Sequence, residues 1–179
     1  MRSRFFALAA LAAVAVAGTA AAATRFDGRP DARFLVPLAT RATRERFEAA
    51  LFRLKLDTLP LTLLYGHARD ALEAADVGIV ASGTATLEAA LARCPHVIFY
   101  RIKPLTEWYV RRKYLLPYVG LPNVLAGRFV VPEFLQEEAT AENLTQAAVN
   151  LYDDTVTRRR LEALFGRFAE QLNVDTERL

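Results

Sequence analysis

The sequence predicts an α/β fold: a Rossmann-like parallel sheet with flanking helices, closed by a helical C-terminal tail. Three observations carry that expectation. From Pro30 onward, short apolar runs alternate with segments of helical period. The run Val77-Gly78-Ile79-Val80-Ala81 has no polar alternation, as a parallel strand buried on both faces should. The tail carries apolar stripes at helical spacing, first Leu144, Ala147, Ala148 and Leu151, then Leu161, Leu164, Phe165, Phe168 and Leu172.

Each element has a local reason. Residues 34–38 are an apolar run of strand length. A helix is predicted over 41–54, with Phe47, Ala50, Leu51 and Leu54 on one face. The strand Leu61–Tyr65 is closed by Gly66, and a short helix follows over 68–75. After the strand Val77–Ala81 comes a helix over 84–93 that turns Leu87, Ala90, Leu91 and Cys94 inward. His96–Tyr100 is the next strand. This alternation implies parallel pairing with right-handed crossovers. Asn123, between Pro122 and an apolar run, falls in a loop, and Pro132 opens a short helix with Glu133 in its first turn.

Composition narrows the function classes. Of 179 residues, 53% are hydrophobic and 24% charged, which describes a globular chain with a real core and excludes a disordered one. The net charge of +3 is mildly basic, but the cations are dispersed and lack interleaved aromatics, so nucleic acid is not an expected partner. A single cysteine, Cys94, excludes an internal disulfide, and with only His67 and His96 beside it most zinc frameworks are excluded too. No metal is expected. Cys94 reads as a packing residue, since it sits in an apolar, helix-terminal context.

The first 29 residues read differently from the rest. Arg2 and Arg4 precede an uncharged run from Phe5 that ends in Ala21-Ala22-Ala23. A positive start, an apolar stretch and small residues form the pattern of a secretory signal, which would export the chain. The same composition fits an Ala-rich translation of DNA upstream of the true domain. Either way the expected division is a leader over 1–29 and one domain over 30–179.

In an open parallel sheet, ligands bind beyond the carboxyl ends of the strands. Ser82-Gly83-Thr84 joins a buried strand to a helix, whose free first-turn N–H groups and dipole suit a phosphate. Gly83 lets the backbone approach, Ser82 and Thr84 add hydroxyls, and Glu88 one turn on could accept hydrogen bonds from a ribose. An ordinary capped helix with a solvated Glu88 fits the same residues. Arg101 and Lys103, following the next strand, suit a diphosphate or a solvated basic loop. His67, after Gly66, fits a base-recognition loop or a plain surface position. Trp108, Tyr109, Arg111, Arg112 and Lys113 mix aromatics with cations, as a membrane interface or a packed and solvated helix would.

Taken together, Ala81-Ser-Gly-Thr-Ala-Thr-Leu-Glu88, Tyr100-Arg-Ile-Lys-Pro104, Leu121-Pro-Asn-Val-Leu-Ala-Gly127 and Pro132-Glu-Phe-Leu-Gln136 resemble, in order and spacing, the C-terminal half of the lipid-A-disaccharide synthases. The resemblance runs from Pro30 to the C-terminus. It implies a GT-B glycosyltransferase that holds UDP-2,3-diacylglucosamine on this half and a lipid acceptor, 2,3-diacylglucosamine 1-phosphate, on an N-terminal domain. The reaction it implies forms the β-1,6 lipid A disaccharide and UDP with inversion, using no cofactor, at the cytoplasmic face of the inner membrane. It assigns Ser82, Gly83 and Thr84 to the diphosphate, Glu88 to the ribose, and Arg101 and Lys103 to the phosphates. Asn123 and Gln136 become the catalytic candidates, contacting sugar or diphosphate.

The family's acceptor domain, its acidic base and the Gly-Ser-Arg loop that opens its C-terminal half have no counterpart here, so the chain alone is expected to lack transferase activity. Two other readings remain: an exported or stand-alone module of the same fold that binds UDP without catalysis, and an epimerase acting on a UDP-sugar. The Pro122-Asn123 and Gln136 block argues against the epimerase.

Overall fold

The computed structural model describes residues 4–9, 32–53, 55, 61–101 and 118–176. Its strands are β1 (Arg4–Ala9), β2 (Ala32–Leu38), β3 (Leu61–Tyr65), β4 (Val77–Ala81), β5 (His96–Tyr100) and β6 (Glu133–Leu135). Its helices are α1 (Arg41–Arg53), α2 (Ala68–Ala74), α3 (Thr84–Leu91), α4 (Leu121–Ala126), α5 (Ala141–Asp153) and α6 (Thr155–Thr176). The strands form one six-stranded sheet in the order β3-β2-β1-β4-β5-β6. Every pairing is parallel.

Alternation along the strands divides the core between the two faces of the sheet. Phe34, Val36, Leu38, Val77 and Ile79 pack with Phe47 and Leu51 of α1, Leu144, Ala148 and Leu151 of α5, and Leu161 and Phe165 of α6. On the smaller side Val80 packs with Ala71 and Leu72 of α2, Ala89 of α3 and Cys94, with Leu35 and Leu64 at the margin. Thr140 opens α5 as its cap, accepting from the Asn143 N–H at 3.2 Å. Asp154 ends α5 and holds the first turn of α6 by accepting from the Thr157 N–H at 2.9 Å. Arg158 reaches across to Asp76 at 3.1 Å, tying α6 to the entrance of β4.

The structure departs from the sequence expectation in four places. Residues 4–9 are not part of a detached leader: β1 lies between β2 and β4, pairing Phe6 with Phe34 on one side and with Val77 on the other. A signal-like core and a central strand of a parallel sheet ask for the same uncharged composition, so the sequence pattern could not separate them. On α3 the buried positions are Thr86, Ala89 and Ala90, whereas Leu91 is 41% exposed. Of the expected inward stripe, Ala90 and Cys94 are buried and Leu87 half-buried, while Leu91 turns out and Thr86 and Ala89 turn in. Asn123 sits inside α4 rather than in a loop, and Glu133 begins a strand, with a short 3-10 turn over Gln136–Glu138 after it. The Trp108 to Lys113 cluster and Leu54 lie outside the described residues.

Both lone-residue readings at the amino ends of the strands resolve to packing. Cys94 is buried, and desolvation pushes its thiol up to about 12, which leaves it protonated and unreactive. His96 is fully buried, stacked on Phe165 at 5.5 Å between ring centroids, with Nδ1 2.8 Å from the Cys94 carbonyl oxygen. Its Nε2 is buried without a hydrogen-bond partner.

Two tests follow from this packing. Desolvation lowers the His96 pKa from 6.5 to about 4, so the unfolded chain binds more protons than the folded one between those values. Stability should fall by about 3 kcal/mol as pH drops through that window, and His96→Leu should remove that part of the slope in denaturant titrations. Removal of residues 1–23 should abolish the cooperative melt, since it strips both parallel ladders from the middle of the sheet; a melt equal to that of the full chain would show that β1 is dispensable.

Candidate functional site

In an all-parallel sheet the carboxyl ends of all strands share one edge. Here the chain leaves β1 toward β2 and β3, then returns to β4 on the other side of β1. Between β1 and β4 lies the point where the direction of winding reverses, the place in such sheets where a crevice opens for a ligand. Ser82-Gly83-Thr84 begins directly after β4, at that point.

The turn is built to face outward. The Ser82 N–H donates to the Phe99 carbonyl oxygen at 2.8 Å, fastening it to β5. Gly83 caps α3 at φ 131 and ψ −160, a conformation essentially reserved for glycine. A Cβ there would meet nothing within 4 Å, so the constraint comes from the backbone, and the space above Gly83 is open. The buried Thr86 hydroxyl donates to the Gly83 carbonyl oxygen at 2.8 Å, and the Thr86 N–H donates to the same oxygen at 3.1 Å. That carbonyl is thereby turned toward the buried Thr86, and the Thr84 and Ala85 N–H groups remain at the positive end of the helix dipole without an intrahelical acceptor. Gly83 and Thr84 are exposed, Ser82 is half-buried, and Glu88 is exposed one turn along.

The other expected residues divide into three groups. Arg101, exposed after β5, lies on the strand next to β4, roughly 5 Å across the sheet. Gln136 is half-buried after β6, the strand beyond, and adopts a left-handed φ of 49. Six predicted site residues thus occupy one edge: Ser82, Gly83, Thr84, Glu88, Arg101 and Gln136. Lys103 lies outside the described residues.

Asn123 is the exception and corrects the expectation of a direct contact with sugar or diphosphate. It is fully buried, and its amide is spent on the protein. Oδ1 accepts from the Val130 and Val131 N–H groups at 2.7 and 2.9 Å, and Nδ2 donates to the Val131 carbonyl oxygen at 2.9 Å and to Glu133 Oε1 at 2.7 Å. An amide offers two donor hydrogens and two lone pairs, so no capacity is left for a ligand.

Sequence reading missed two features. Glu133 was read as a first-turn helix residue, yet its carboxylate accepts from the Val119 N–H at 2.9 Å and the Gly120 N–H at 2.8 Å. Only folding brings those groups together. His67 is not a solitary loop histidine: it holds a left-handed φ of 54 before α2, with Nδ1 2.7 Å from Asp70 Oδ2. The spacing of three residues was the available signal. Among the described residues, no three His, Cys, Asp or Glu side chains gather as a metal site, and no helix is long and apolar enough to cross a membrane.

The family profile of lipid-A-disaccharide synthetase matches residues 13–177. That match begins within the segment expected to be a leader and leaves β1 outside it. The chain is 56% identical over 147 residues to the lipid-A-disaccharide synthase of Dechloromonas aromatica, covering 82% of this chain and 38% of that protein. It is 52% identical to that of Chromobacterium violaceum with the same two coverages. The chain therefore spans about two fifths of the length of the curated relatives it matches. Among solved structures it is similar to UDP-GlcNAc 2-epimerase from Neisseria meningitidis bound to UDP-GlcNAc, with a TM-score of 0.56 at 12% identity, over 95% of this chain and 44% of the other. The calicheamicin glycosyltransferase CalG4 gives a TM-score of 0.53 at 12% identity, over 98% of this chain and 44% of the other. At that identity the likeness is one of fold: a Rossmann-like half of the GT-B arrangement.

Gly83→Ala should destabilise the chain by about 1–3 kcal/mol in urea titrations through backbone strain alone. Asn123→Ala should cost more, about 3–5 kcal/mol, because it leaves buried N–H groups without acceptors. Equal and negligible losses would contradict the assigned geometry at both positions.

Proposed function

The chain belongs to the lipid-A-disaccharide synthetase family, and on that premise we propose that it is the donor-binding half of such a hexosyltransferase. The substrate is UDP-2,3-diacylglucosamine. The diphosphate lies against Ser82, Gly83 and Thr84 at the amino end of α3, where backbone N–H groups and the helix dipole meet its charge. Glu88 accepts from the ribose hydroxyls, and Arg101 and Lys103 supply positive charge to the phosphates. Gln136 contacts the diphosphate at its sugar end. The observation that carries this reading is the open Gly83 turn at the reversal point of the sheet, with its carbonyl held inward by Thr86.

The chemistry assigned to this half is stabilisation of a leaving group. As the 6-hydroxyl of 2,3-diacylglucosamine 1-phosphate attacks the anomeric carbon, the bond to UDP breaks and negative charge grows on the diphosphate. Donors already aimed at that charge stabilise the transition state without reorganising. The products are the β-1,6 disaccharide and UDP, with inversion at the anomeric carbon. This scheme asks for no metal or cofactor. It does ask for an acceptor-binding domain with a general base, which the longer relatives have room to supply. The site of action is the cytoplasmic face of the inner membrane, where the lipid acceptor is available to a peripheral enzyme. An exported chain is the less favoured alternative, because cleavage after Ala23 would also remove β1.

Purified chain should bind UDP in isothermal titration calorimetry. Glu88→Ala should weaken that binding about tenfold, or ~1.4 kcal/mol. Given both lipid substrates, the chain alone should release no disaccharide detectable by mass spectrometry. Lack of UDP binding would sink the donor-site reading; disaccharide formation by the chain alone would show that the acceptor half is not needed.

A further inference from the structure

We propose that Glu133 is a positioning residue for this site, acting through Gln136; the inference rests on the reading of the edge as a UDP-binding one. Glu133 opens β6 and is in register with Ile98 of β5. The ladder pairs only Glu133, Phe134 and Leu135 with β5, and a strand that short has few backbone bonds with which to hold its place. The side chain of Glu133 supplies the rest. Oε2 accepts from the Val119 N–H at 2.9 Å, and Oε1 accepts from the Gly120 N–H at 2.8 Å and from Asn123 Nδ2 at 2.7 Å. Through Asn123 the same network takes in the N–H groups of Val130 and Val131 and the carbonyl oxygen of Val131. Gly120 has to be glycine for this approach: a Cβ would collide with Ile98 Cδ1 and lie 2.7 Å from Glu133 Oε1.

The network ends where the ligand edge begins. Two residues after β6's Phe134, Gln136 holds a left-handed backbone that a residue with a Cβ keeps only where its surroundings over-determine it. Glu133 is the anchored point just before that turn, and it sets how far Gln136 projects beside Arg101 on the neighbouring strand. Neither Glu133 nor Asn123 needs to touch the ligand. Glu133→Gln is the informative change, because it keeps size and shape but replaces one oxygen by a donor. In one amide orientation that donor faces the Val119 N–H. In the other it faces the Gly120 N–H and the Asn123 amide. Donor meets donor in both, so the clamp loosens without losing its volume.

The test is a double-mutant cycle read as UDP affinity by calorimetry on the full chain, below the melting temperature of every variant. Glu133→Gln should weaken UDP binding about fivefold. Gln136→Ala should weaken it at least as much, and the double variant no further than Gln136→Ala alone. Should Glu133→Gln not fold, Glu133→Asp, which keeps the charge and shortens the reach, is expected to show the same non-additivity at a smaller loss. A lowered melting temperature with unchanged UDP affinity makes Glu133 merely structural and overturns the proposal. Fully additive losses overturn the route through Gln136. No UDP binding by the unaltered chain overturns the donor-site reading and this inference with it, a result distinguishable because it appears before any substitution.

Discussion

The structure depends on the parallel pairing of β4 with β1 on one side and β5 on the other. Parallel strands deliver all their carboxyl ends to one edge, so every crossover returns the chain to the same side before the next turn is made. Ser82-Gly83-Thr84, Arg101 and Gln136 meet along that edge for this reason, although they are spread over more than fifty positions of sequence. The pairing also requires apolar strands. Val77 and Val80 are fully buried, and the middle slot beside β4 is filled by a segment with no charge after Arg4.

Polar residues in the interior serve that edge in different ways. Thr86 holds the Gly83 carbonyl toward itself, and the Thr84 and Ala85 N–H groups remain at the amino end of α3 without an intrahelical acceptor. Asn123 and Glu133 satisfy backbone groups on both sides of α4 that no helix or ladder bond would reach. A buried amide with all its hydrogen-bonding capacity used adds rigidity, and an amide with half of it used would cost stability. His96 shows the opposite case at the far edge. Its Nε2 has no partner, and burial, outweighing the hydrogen bond to the Cys94 carbonyl oxygen, pushes the ring's pKa down to about 4.

Much of the fold was legible in local sequence. Leu61–Tyr65, Val77–Ala81 and His96–Tyr100 coincide with their expected spans, since a short apolar run between turn residues has few alternatives. The placement of the site candidates was legible wherever a residue directly follows a strand, as Ser82, Gly83, Thr84 and Arg101 do. It was misread where a role depends on a partner remote in sequence. Asn123 looked like a loop amide free for a ligand, yet its partners are groups of Val130, Val131 and Glu133, seven to ten positions on. On α3 the periodicity placed Ala90 and Cys94 inward correctly, but it also favoured Leu91, which is exposed, over the smaller Thr86 and Ala89, which are buried.

The sequence by itself determined the alternation of strands and helices, the parallel direction of the sheet and the family, because these follow from periodicity, connection length and motif spacing. Tertiary structure alone decided that residues 4–9 occupy the middle of the sheet, that Asn123 is an interior strut and that Glu133 clamps the turn before α4. Each of those outcomes is a competition for the same hydrogen-bonding groups or the same apolar slot, and only the packed chain brings the competitors within reach of one another.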